Sequence, residues 1–152
     1  MTKYLLLLCC LLVFRLQATP IKPTEEPVGQ RLGLSLLEVL DSIKKEGLYQ
    51  YLGSSGKPST ADEPVTIRFR DSSGDRLLTY SFIHDRCDLA MMMLPLTELD
   101  SIVQAYDRQF PSIGKQMWRT SYGRIKVSVA IGAESLRSDH KPHLLIIFDP
   151  RS

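Results

Sequence analysis

Asparagine is missing from the chain altogether, which rules out N-linked glycosylation. Cysteine is nearly missing. Of the three, Cys9 and Cys10 lie in an N-terminal apolar block that reads as a leader, and Cys87 is then left alone. A lone cysteine cannot staple its own chain, so folding must rest on an apolar core. Its thiol is either buried and inert or free to form a disulfide-linked dimer with a second chain. Also lacking are a phosphate-cradling glycine loop, a serine-hydrolase elbow, a helix-borne metal motif and a calcium loop. No catalytic set and no cofactor is therefore expected, and the chain does not read as an enzyme.

What is present begins with an address. Lys3 precedes the apolar block 4–14, Arg15 interrupts it, and Ala18 offers a small residue before Thr19-Pro20. That is the layout of a secretory signal peptide over residues 1–18. The block is well short of the roughly 20 apolar residues that cross a bilayer, so no stable membrane insertion is expected. Residues 1–18 carry Lys3 and Arg15 and no acid, which leaves 17 basic and 17 acidic side chains in the secreted, extracellular form. Neutrality gives no electrostatic reason to expect nucleic acid as a partner.

Residues 19–33 hold Pro20, Pro23, Pro27, Glu25 and Glu26 with little apolar content and read as a flexible, proline-rich arm. A single α+β domain is expected over 34–152. Ser35 and Glu38 have capping-box spacing, and Leu36, Leu37, Leu40, Ile43, Leu48 and Tyr51 make a helical stripe that Gly47 or Gly53 stops. Residues 53–63 are a loop by composition. Residues 64–70 and 78–82 alternate apolar with polar around Asp71-Ser72-Ser73-Gly74-Asp75, which predicts a half-buried antiparallel hairpin.

Residues 89–94, Leu-Ala-Met-Met-Met-Leu, do not alternate, so both faces of a strand there need cover. Pro95 closes the run. Thr97 and Asp100 then suggest a capped helix beginning at Thr97, with Leu99, Ile102, Val103, Tyr106 and Phe110 on one stripe and Pro111 and Gly114 ending it. A second hairpin follows over 117–122 and 125–131, a polar loop over 132–142, and a second doubly apolar strand over 143–148. The two halves thus share one order, helix-strand-strand-strand. The expected fold is a single antiparallel-rich sheet of about six strands, its two apolar strands inside and two helices packed on one face. Its other face is expected to be polar.

Candidate sites are few. Arg68, Arg70, Arg119 and Arg124 belong to that polar face or its turns, and Trp118 sits beside Arg119 in a hairpin where it could anchor a partner. His84 and Cys87 are the parts of a cysteine nucleophile, but a strand through both would point them apart and only a turn would join them. His84, His140 and His143 are candidate metal ligands without the fixed spacing of a helix-borne site. What remains is a small secreted protein that binds another macromolecule, an extracellular protein before others. The alternative is a carrier of a small apolar ligand or metal, lined by the methionines and histidines.

Overall fold

The computed structural model describes residues 28–56, 63–134 and 143–150. The expected leader, residues 19–27 of the expected arm, and His140 lie outside them. The rest of that arm is built into the fold. A short 3-10 turn, Gly29–Arg31, buries Val28, Gly29, Arg31 and Leu32 against the sheet. Gly33, at φ +81°, then turns the chain so that its N–H donates to Cys87 O and Leu34 O accepts from Cys87 N, both at 2.8 Å. The prolines and glutamates before it conceal this segment, which is held by backbone pairing, by Val28 and Leu32 in the core and by one buried arginine.

Helix α1, Leu36–Glu46, opens with the expected capping box: Glu38 N–H donates to Ser35 Oγ at 3.3 Å, and Ser35 N–H donates to Glu38 Oε2 at 2.7 Å. The Ser35 N–H and the Ser35 hydroxyl, which donates to the same Oε2 at 2.9 Å, favour the ionised carboxylate and hold the Glu38 pKa below its ordinary value. Val39 and Ile43 are buried and Leu36 and Leu40 pack beside them. Leu37, about 100° round the helix from Leu36, is instead 73% exposed. Gly47, in the left-handed region at φ +67°, ends the helix and donates to Ile43 O at 3.3 Å. Leu48 and Tyr51 are therefore not helical.

Among the described residues the sheet has eight strands, where about six are expected. They are β1 (Tyr49–Ser55), β2 (Val65–Asp71), β3 (Leu77–Ile83), β4 (Arg86–Pro95), β5 (Ser112–Gly114), β6 (Met117–Tyr122), β7 (Ile125–Glu134) and β8 (His143–Asp149). All neighbours are antiparallel, in the order β1-β2-β3-β4-β8-β7-β6-β5. The two unexpected strands are the outermost pair. β1 is mostly exposed and bulged between Tyr51 and Gly53, and β5 is three exposed residues, so neither carries an alternating pattern. Each directly follows a helix, so the order helix and four strands occurs twice.

Helix α2, Leu99–Gln109, begins two residues later than expected. Leu96–Glu98 forms a 3-10 turn, the residue before the helix is Glu98 without a side-chain cap, and Ser101 Oγ donates to Glu98 O at 2.8 Å. Pro95 at φ −57° feeds that tight turn, so the Thr97 hydroxyl is not placed at the helix start. Ile102 and Tyr106 are buried and Phe110, extended before Pro111, caps the C-terminus.

Register shows which face each helix covers. Ile67, Tyr80, Ala90, Phe148, Val129 and Trp118 form one row across six strands. The Tyr80 hydroxyl is bridged to α1 by Arg31, and Trp118 meets α2 through Tyr106 and Asp107. Both helices thus lie on this inner face, over a core that joins Val39 and Ile43 with Ile102 and Tyr106.

Candidate functional site

The residues one step along each strand form the opposite, outer face. Its middle row reads Arg68, Thr79, Met91, Ile147, Ala130 and Met117. The row on one side contains Arg70, Leu77, Met93 and Leu145, and the row on the other contains Leu89, Asp149, Ser128 and Arg119. No described helix lies on this face. Its wings are polar as expected, but its centre is not: Leu89, Met91, Leu145 and Ile147 are half-buried and Met93 is buried. β4 and β8 are apolar on both sides, and the helices cover only one of them.

The expected binding residues divide between the two faces. Arg68, Arg70 and Arg119 are exposed on the outer face, with β2 and β6 five strand spacings, about 24 Å, apart. Arg124 is exposed in the turn between β6 and β7, away from them in register. Trp118 is on the inner face and 1% exposed, so it holds α2 and offers no anchor to a partner. An indole in an alternating strand carries no mark of which side it takes; that depends on the ladder as a whole.

His84 and Asp85, at φ 50° and 56°, form the two-residue turn between β3 and β4. The turn binds the N-terminal segment. Asp85 Oδ1 accepts from Leu36 N–H at 3.1 Å, satisfying an orphan amide of α1, and Arg86 donates to Gly33 O at 3.0 Å. Cys87 is buried on the core side while His84 is exposed in the turn. Burial pushes the thiol up to about 12, far from the thiolate that nucleophilic attack requires, and Sγ donates to Leu89 O at 3.7 Å. Among the described residues Cys87 has no disulfide partner, and its 2% exposure keeps the thiol from the surface where a second chain would pair with it.

Protonation of Cys87 couples to stability with a definite sign. The folded pKa is above the ordinary 9.0, so the contribution is complete below about pH 9 and is lost as pH rises toward about 12. Equilibrium denaturation across that window should show stability falling by up to about 1.4 kcal/mol per pH unit. Cys87→Ala should remove that component; an unchanged slope would place the titration elsewhere.

The two described histidines do not converge. His84 is in the turn before β4, whereas His143 pairs with Pro95 at the far end of that strand, about 30 Å away. Among the described residues no three His, Cys, Asp or Glu side chains are grouped to hold a metal ion, and no helix is long and apolar enough to cross a membrane.

A feature without a sequence signal lies at the β1 edge. Leu40, Ile43, Tyr49, Tyr51 and Phe69, with Asp41 and Lys44 at the rim, line an open cleft of about 450 Å³. Exposed Leu37, Leu48 and Leu52 belong to the same α1 and β1 region. No family model, curated protein or solved structure matches this chain.

Proposed function

We propose that this is a secreted, non-enzymatic protein that binds another macromolecule, an extracellular protein, on the outer face of its sheet. One observation carries this: the two central strands keep apolar side chains on the face that neither helix covers. A single-sheet domain ordinarily alternates apolar inside with polar outside. Completing the burial of the four half-covered side chains, Leu89, Met91, Leu145 and Ile147, is worth about 1 kcal/mol each, or about 4 kcal/mol together. That matches only the lower end of the ~4–15 kcal/mol cost of association, so the arginine wings must add to it.

A photo-reactive amino acid at position 91, in protein secreted by cells expressing the full chain, should give a protein adduct of defined mass. The same probe at exposed Arg108, on α2, should give none. Equal labelling from both positions, or none from 91, would sink the proposal. A second reading, carriage of a small apolar ligand, draws on the cleft at the β1 edge, whose volume is in the range of ligand pockets. It would appear in native mass spectra of the same sample as a small adduct, and a bare mass would dispose of it.

A further inference from the structure

Resting on the outer face as the binding surface, we infer that its partner presents one amphipathic α-helix whose apolar stripe is flanked by carboxylates. The dimensions come first. The apolar centre is two strands wide, β4 and β8, or about 10 Å, which is the diameter of a helix with its side chains. Leu89, Met91 and Met93 on one strand and Leu145 and Ile147 on the other extend it for about 13 Å, the length of two to three helical turns. Half-buried Met91, Leu89 and Leu145 make a surface that adapts to the ridges of a helix.

Charge selects the flanks. Exposed Arg68 and Arg70 stand on the β2 side, and exposed Arg119 and Lys126 on the β6 side. Asp149 is nearer the centre, on β8 opposite Leu89's position. Two copies placed face to face about a two-fold axis bring β2 over either β2 or β6 of the other copy. Each arrangement sets cations against cations, which disfavours a second copy. A helix with acidic residues on both sides of its apolar stripe answers both wings at once.

The test uses the full secreted chain and two synthetic 15-residue helical peptides, each with one leucine stripe, flanked in one by glutamate and in the other by lysine. Fluorescence anisotropy should show the glutamate peptide binding at least about tenfold more tightly than the lysine peptide, with an affinity that falls as salt rises. Arg68→Glu with Arg119→Glu should reverse that preference, and Met91→Glu should abolish binding, while Leu37→Glu at the separate α1 surface leaves it intact. Equal binding of both peptides, lost in Met91→Glu, would overturn the acidic helix yet keep the outer face as the binding surface. Binding lost in Leu37→Glu but not in Met91→Glu would overturn both. A concentration-dependent dimer abolished by Met91→Glu would assign the face to a second copy. Binding that appears only after deletion of residues 19–27 would assign it to the chain's own N-terminal segment. Either result overturns the inference.

Discussion

Trp118→Ala should lower the free energy of unfolding by about 4 kcal/mol, the cost of deleting a fully buried large aromatic side chain. The ring is 1% exposed and meets Tyr106 edge-on at 5.4 Å between centroids. Its Nε1–H donates to Asp107 Oδ1 at 2.8 Å. Both partners are on α2, so a single side chain from β6 fixes the helix to the second half of the sheet by packing and by orientation. Removing it leaves a void between β6 and α2 that neither rigid element can close. Urea unfolding followed by circular dichroism should show the midpoint falling with the slope unchanged. Trp118→Phe keeps most of the volume and should cost about 1–2 kcal/mol. A loss below about 1 kcal/mol for the alanine variant would contradict the burial described above. Were Trp118 a surface anchor instead, stability would hold and binding alone would suffer.

Arg31→Ala should cost about 3 kcal/mol, because it removes one member of a buried polar network and strands the others. The guanidinium, 2% exposed, donates to the Tyr80 hydroxyl at 2.8 Å and to Ser42 Oγ at 3.2 Å, and forms an ion pair with Glu46. Burial opposes its charge, but Tyr80 and Glu46 outweigh that cost and hold its pKa above the ordinary value. Without Arg31, the partly buried Glu46 carboxylate loses its cation and the buried Tyr80 hydroxyl loses the guanidinium donor it accepts from. The melting temperature should drop by about 10 °C. Arg31→Met with Glu46→Leu should restore much of the loss, since an apolar pair of similar volume carries no unmatched charge. A drop of less than about 2 °C in the single variant would mean that the network contributes little and that the 28–34 segment is held by its backbone pairing with Cys87.

These two residues mark where sequence reasoning stops. Arg31 falls in a stretch that reads as an arm because proline and glutamate precede it, and its role depends on Tyr80, 49 positions away. Trp118 is in a strand whose alternation was legible, but alternation divides residues into two sets without saying which set faces the helices. The α2 start was misplaced for a related reason. Thr97 and Asp100 have the spacing of a cap, yet Pro95 and the end of β4 direct the chain into a 3-10 turn first. On the outer face, Arg68, Arg70 and Arg119 are legible as polar strand positions, whereas the apolar centre between them is not, since it exists only when β4 and β8 become neighbours.

By itself the sequence determined the elements whose signals are complete within a few residues. These are the capping box of Ser35 and Glu38, the two alternating hairpins, and the doubly apolar strands placed at the middle of an antiparallel sheet. Such features depend on backbone geometry and on neighbours no more than four positions apart. Tertiary structure alone decided the two edge strands, the docking of residues 28–34, the burial of Trp118 and Cys87, and the face that neither described helix covers. Each is settled by which distant strand or helix comes to rest against it. Burial is a property of that pairing, and no local pattern encodes it.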